Sequence, residues 1–304
     1  MSIKNHHPPV LWRFIDGKPG HEKQSQGLCQ ALARETSASI HDIPVRRGWT
    51  NLAYWMAGRC PYGQASPPPD LLVGAGHATH LPMLAARRHH GGRIVVLMRP
   101  SLPWALFDLC LVPEHDSPPQ RDNVLATRGV LNPLTNRGSH QTGQGLILIG
   151  GHSPHYTWSS ADVTHQVSAL VQGRPEMTWR LTTSRRTPVD FMETLGTGRI
   201  ECFPAASTPP GWLEAQLARA GEVWVTPDSV SMVYEALSAG CRVGLFDLPA
   251  TRGSRVAKSI LELQKQGVVS ALKEGALPAT PSTAAPPLDE ARRCARIILE
   301  RWFS

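Results

Sequence analysis

The stretch Val223–Gly240, VWVTPDSVSMVYEALSAG, passes from a strand-like run (Val223–Val225) through a polar turn into a helix opened by Asp228, Ser229 and Ser231. Strand followed by polar loop followed by helix is the repeating unit of a parallel α/β protein. The same alternation runs through the rest of the chain. Further strands are predicted in the first half at Leu11–Ile15, Leu71–Val73, Ile94–Met98 and Leu109–Val112. In the second half they are predicted at Leu146–Ile149, Thr178–Thr182, Ile200–Phe203 and Val243–Phe246. In an open parallel sheet the loops at the carboxyl ends of the strands converge on one crevice, so chemistry is sought in those loops.

The 304 residues suit two domains, and Asn136–Gly145, polar and glycine-rich, reads as the linker between them. The expected division is 1–138 and 139–304, both Rossmann-like. After a second loose stretch, Pro278–Pro287, a terminal helix from about Asp289 to Phe303 begins, and residues 288–304 are expected to pack back on the first domain. Glycine (26) and proline (27) fall short of the ~25–30% of a disordered chain. No apolar run approaches the ~18 residues of a spanning helix. The start, MSIKNHHPPV, shows no apolar signal core, and a cytoplasmic location is expected. Six scattered cysteines without a C-x-x-C pair read as free thiols in a reducing compartment. The net charge of +7 is spread along the chain and suits phosphates or acidic lipid headgroups; nucleic acid is not an expected partner.

Three loops concentrate the chemistry of the second half. Gly150 and Gly151 follow the Leu146–Ile149 strand; Ser184, Arg185, Arg186 and Thr187 follow Thr178–Thr182; Asp228, Ser229 and Ser231 open the helix after Val225. Glycines permit close backbone approach, helix starts offer free N–H groups to phosphate, and adjacent arginines can neutralise a diphosphate. Glu235 lies two turns beyond Asp228 on roughly the same helix face, where a carboxylate could accept from ribose hydroxyls. Each feature has an ordinary explanation, such as helix capping or a solvated arginine pair. Their joint placement on one sheet edge favours a nucleotide site.

In the first half the opening strand runs into Asp16-Gly17-Lys18-Pro19-Gly20-His21, followed by a helix carrying Gln24. His21 suits a general base because its unperturbed pKa is near neutral, and Asp16 is the alternative. Lys18, Gly20 and Gln24 share that edge with Gly76 and His77 after the second predicted strand and with His115 and Asp116 after the fourth. The Gly74–Thr79 turn lacks the third glycine of a dinucleotide fingerprint. The histidines show no zinc spacing, and neither a serine-hydrolase elbow nor a P-loop is present, so no metal or cofactor is expected. Arg46-Arg47-Gly48-Trp49 with Leu52, Tyr54, Trp55, Met56 and Arg59 (residues 46–59) offers a candidate membrane contact, against the plainer reading of a helix packed on its own domain.

DGKPGHEKQSQGL (Asp16–Leu28), LLVGAGHATHLP, FDLCLVPEHD, LIGGHSPHYTW, TTSRRTP and VTPDSVSMVYEALSAG occur together and in order. In these pieces the chain resembles the family named for a plant elongated-mitochondria fission factor, whose bacterial members are described as glycosyltransferases. The resemblance implies a GT-B architecture: two Rossmann-like domains facing a cleft, with the donor nucleotide on the second. The Glu235 helix is similar to the donor helix of glycosyltransferases that build peptidoglycan lipid intermediates, in which a glutamate holds the ribose. Gly20-His21 stands where the acceptor-side loop of those enzymes lies. Pro227-Asp228-Ser229 departs from their glycine-rich helix opening. The expected activity is metal-independent transfer from a nucleotide-diphosphate sugar to a cell-envelope acceptor, lipopolysaccharide core or another glycolipid, at the cytoplasmic membrane face. The alternatives are a non-catalytic scaffold that recruits a partner at a membrane, and a nucleotide-sugar epimerase.

Overall fold

A computed structural model describes residues 7–46, 48, 50–136, 138–195, 198–272, 281 and 288–303. The chain divides into two compact units, residues 1–133 with 289–304, and residues 134–288.

The first unit runs β1 (Val10–Ile15), α1 (Pro19–Thr36), β2 (Ser39–Pro44), α2 (Thr50–Ala57), β3 (Leu71–Ala75), α3 (His80–His90), β4 (Arg93–Leu97), β5 (Leu109–Pro113) and β6 (Val124–Thr127). Among the described residues its sheet has the order β2-β1-β3-β4-β5-β6, and every pairing is parallel. β3 and β5 are buried along their whole length, as a sheet covered on both faces requires. The order reverses between β1 and β3, so the crevice of this unit opens at their carboxyl ends.

The second unit runs β7 (Gln141–Leu148), α4 (Ser160–Gly173), β8 (Thr178–Thr182), α5 (Val189–Leu195), β9 (Ile200–Phe203), α6 (Trp212–Leu217), β10 (Ala220–Val225), α7 (Val230–Ser238), β11 (Arg242–Leu245), α8 (Arg255–Lys265) and β12 (Ser270–Ala271). The sheet order β12-β11-β10-β7-β8-β9 is the Rossmann order, with the switch point between β7 and β10. All pairings are again parallel. Trp179, Trp224 and Phe246 fill its core beside Ile147, Val167 and Leu181. Glu222, buried within β10, is held by Arg174 and by the Trp224 indole N–H at 2.8 Å.

α9 (Glu290–Trp302) returns to the first unit, capped by the Asp289 carboxylate on the Arg292 N–H at 3.1 Å. Ala291, Cys294, Ala295 and Ile298 join α1 and the sheet in one core. Glu290 accepts the Arg128 N–H at 3.0 Å, and Arg293 donates to the Ala126 carbonyl at 2.7 Å.

The linker reading of Asn136–Gly145 is corrected in part, because Gln141–Gly145 is the first half of β7. Gly145 serves packing, since a Cβ there would lie 2.3 Å from the Trp179 ring, whereas a Cβ on Gly143 would meet nothing within 4 Å. The loose stretch Pro278–Pro287 lies, apart from buried Pro281, outside the described residues. All six cysteines are free thiols, five buried and Cys202 half-buried. Among the described residues no helix is long and apolar enough to cross a membrane.

Candidate functional site

The switch point of the second unit brings together three of the loops singled out above. The Gly150 N–H donates to Thr226 Oγ1 at 2.7 Å, and the Gly151 N–H donates to Asp228 Oδ2 at 2.9 Å. Arg186 reaches the same carboxylate oxygen at 3.0 Å and donates its other arm to the His152 carbonyl at 2.8 Å. Neither glycine tolerates a side chain: a Cβ would stand 2.2 Å from Asp228 Oδ2 at Gly150 and 2.0 Å from the Arg186 carbonyl oxygen at Gly151. Ser184 donates to the Gly150 carbonyl at 2.8 Å and accepts the Arg186 N–H at 3.1 Å. The Thr187 hydroxyl bonds the same carbonyl. The arginine loop is thereby pinned to the glycine loop, while Arg185 is exposed beside it.

Asp228 precedes the helix cap, which is Ser229, and its buried carboxylate takes up the Gly151 N–H and Arg186 that the sequence offers to a diphosphate. Burial raises the Asp228 carboxyl above its usual range, against the lowering by the Gly151 N–H, Thr226 and Arg186. Tyr156 stands near it; burial chiefly, and then the Asp228 charge, push this phenol to about 12. Ser229 makes no side-chain cap at the start of α7. Ser231 is exposed in that turn, and Glu235, farther along the same helix, is only 4% exposed.

The first unit places Asp16 and His21 at its own switch point. Asp16 Oδ2 lies 3.0 Å from His21 Nδ1, and Oδ1 accepts the Lys18 N–H at 3.2 Å. The Asp16 side chain is 1% exposed and that of His21 18%. A carboxylate on Nδ1 fixes the tautomer that leaves Nε2 with its lone pair. Glu22 closes the loop by accepting the Gly17 N–H at 2.9 Å, and Pro19 starts α1 where its missing N–H costs nothing. Gly76, at φ +80°, makes room for the histidine: a Cβ there would lie 2.2 Å from His21 Cε1.

Gln24 is buried and donates to the Gly20 carbonyl at 3.3 Å, whereas Lys18, Gly20 and His77 are exposed. His115 and Asp116 are half-buried in the turn after β5, two strands along the edge from β3. Among the described residues no group of three or more His, Cys, Asp or Glu side chains is arranged to hold a metal ion. In the candidate membrane patch, Arg47 and Trp49 lie outside the described residues. Trp55 packs against the core of its own unit, and Met56 is 68% exposed.

Sequence reading passed over Thr226, which receives the Gly150 N–H, and the loop after β11, which is tied to the glycine loop where the Thr251 N–H donates to the His155 carbonyl at 2.9 Å. The second was findable, because it follows a central strand at the same carboxyl edge.

Two Rossmann-like parallel-sheet units, each with polar groups gathered at its switch point, define a GT-B-like α/β protein. The chain belongs to the mitochondrial fission ELM1 family, whose model matches residues 19–302. An uncharacterized protein of Rickettsia prowazekii is 22% identical over 283 residues, which cover 76% of this chain and 79% of the relative. Two solved structures share the fold. One, from Listeria monocytogenes and named as a candidate UDP-N-acetylglucosamine 2-epimerase, has a TM-score of 0.53 at 13% identity over 97% of both chains. The other, MnaA of S. aureus solved with UDP, has a TM-score of 0.53 at 13% identity over 97% of this chain and 89% of its own.

Proposed function

We propose that the chain is a nucleotide-sugar-dependent glycosyltransferase that works without a metal ion. The observation that carries this reading is the second unit's switch point, where the glycine pair, Arg186 and the uncapped start of α7 adjoin a helix with Glu235 buried on it. A donor diphosphate would bind the first-turn N–H groups of α7, with Arg186 transferring from Asp228 to the phosphates and Arg185 available beside it, while Gly151 keeps its N–H on Asp228 and its bare Cα lets the phosphates approach. Ribose hydroxyls would donate to Glu235. In the first unit, His21 Nε2 would take the proton of the acceptor hydroxyl, and Asp16 would hold the ring and stabilise the imidazolium. The acceptor oxygen bonds to the anomeric carbon as the bond to the diphosphate breaks. The charge left on the diphosphate is met by the arginines and the helix dipole.

The UDP bound to MnaA makes uridine nucleotides the first donors to try. For the acceptor we propose a cell-envelope glycolipid such as lipopolysaccharide core, met at the cytoplasmic membrane face with residues 46–59 as the contact. The test is incubation with labelled nucleotide sugars and a glycolipid fraction: label moving into lipid supports the reading, and label remaining on the nucleotide contradicts it. The name of the Listeria structure favours epimerisation as the second reading. An epimerase yields an altered free nucleotide sugar with no acceptor present.

A further inference from the structure

The positive charge of the chain is gathered in the first unit rather than spread along the sequence. Between Ile43 and Phe107 there are seven arginines, no lysine and one carboxylate, Asp70, so this stretch holds six of the seven net positive charges. Asp70 is engaged at the start of β1, where its Oδ2 accepts the Val10 N–H at 2.7 Å. Two of the arginines are engaged as well: Arg87 with Asp108 at 3.2 Å, and Arg93 over the Trp302 ring of α9. Arg46, Arg59 and Arg88 are exposed, and among the described residues none of the three has an ion-pair partner.

These three arginines flank α2, which packs on α3. The α2 sequence, TNLAYWMA, has no charged residue, and its exposed positions are Thr50, Ala53, Met56 and Ala57. Trp55 turns into the core, while Met56 is 68% exposed. A helix side that faces water ordinarily carries charged and polar residues. Buried Asn51 fixes the entry to the helix, donating to the Arg46 carbonyl at 2.8 Å and accepting the Tyr62 hydroxyl at 2.6 Å. The exit turns at Gly58, whose φ is +65°. There the Gly58 N–H donates to the Trp55 carbonyl at 3.3 Å and the Arg59 N–H to the Tyr54 carbonyl at 2.9 Å. That turn lies against the last turn of α3: a Cβ on Gly58 would stand 3.3 Å from Arg88 Nε, and His89 Nδ1 bonds the Gly58 carbonyl at 3.2 Å.

An uncharged, partly apolar helix side with unpaired arginines at both ends suits the interfacial zone of a bilayer, where apolar side chains enter between headgroups and guanidinium groups meet phosphates. The other face of this sheet, covered by α1 and α9, has its arginines paired: Arg292 with Glu35 at 2.7 Å, and Arg293 with Glu290. A nucleic-acid backbone is held by rows of donors, which the exposed side of α2 lacks. We infer that α2 and the end of α3 form a docking surface for a bilayer carrying anionic headgroups. The inference rests on the membrane contact proposed above, names its lipid chemistry and adds Arg88 to it.

The test is flotation of the full chain with vesicles of phosphatidylcholine alone, and of phosphatidylcholine mixed equally with phosphatidylglycerol. The wild type should bind the second kind and not the first, and added salt should weaken the binding. An arginine near an anionic surface contributes about fivefold in affinity, so Arg59→Gln combined with Arg88→Gln should bind about 25-fold more weakly. Met56→Ser should show a smaller loss. Lys258→Gln combined with Lys265→Gln removes the same charge from the second unit and should bind as the wild type does. All these positions are on the surface, and circular dichroism with thermal melting checks that each variant folds. Failure of the folded wild type to bind anionic vesicles would overturn the inference, as would equal weakening by the two charge-removing pairs or unchanged binding of the arginine pair. Retention of an RNA hairpin but not of vesicles would overturn it in favour of a nucleic acid. Vesicle binding without sugar transfer would sustain this inference while the glycosyltransferase reading fails, so the two failures are distinguishable.

Discussion

A methyl group added to Gly76 would lie 2.2 Å from Cε1 of His21, so Gly76→Ala has to move the imidazole that Asp16 holds at 3.0 Å. In a transfer assay this variant should lose a large part of the ~10²–10⁴-fold that a positioned base supplies, with donor affinity unchanged. Asp16→Asn should behave alike, because an amide no longer fixes the Nδ1–H tautomer; normal turnover in both variants would remove His21 from the mechanism. None of this packing is legible in the sequence, where 55 positions separate His21 from Gly76. His80 supplies a prediction that needs no substrate. Burial chiefly, and then His77, lower it from 6.5 to about 4. Below pH 6.5 the unfolded chain takes up a proton that the folded chain refuses until about pH 4, so stability falls across that window. Urea titrations should show the wild type losing about 3 kcal/mol more than His80→Gln between those limits. Parallel curves would contradict the assignment.

At the scale of elements, the strands that sequence reading omitted are β2, β6 and β12, each at the edge of a sheet. β2, SIHDIP, has one buried residue and ends in proline, and β12 has two residues, so neither shows the continuous apolar run of a central strand. The central strands and their polar carboxyl ends were readable because burial on both faces leaves an unbroken apolar signature that stops abruptly. The loop after β11 obeys the same rule, but Asp247-Leu248-Pro249-Ala250 reads as an ordinary turn until its ties to His155 and Gln166 are seen. The helix α9 makes its own prediction. Ile298 is fully buried between it and the first unit's core, so Ile298→Ala should cost ~2–5 kcal/mol in urea denaturation. A cost below ~0.5 kcal/mol would mean that α9 does not stay docked in solution.

Across the whole molecule, the proposed function divides the labour between two units: a histidine held by a carboxylate in the first, and a site for the donor's diphosphate at the switch point of the second. Variants in the first should therefore change turnover, and variants in the second should change donor affinity. The division rests on the second unit binding a nucleotide at all, since the non-catalytic reading of this family predicts none. The decisive measurement is a calorimetric titration, without added metal, of UDP, GDP, CMP and their common sugar conjugates into the wild-type chain and into Glu235→Ala. The expected result is saturable binding of one nucleotide to the wild type and a clear loss of affinity in the variant. Unchanged affinity in Glu235→Ala would contradict the site, and silence of the folded wild type across the whole panel would contradict the function.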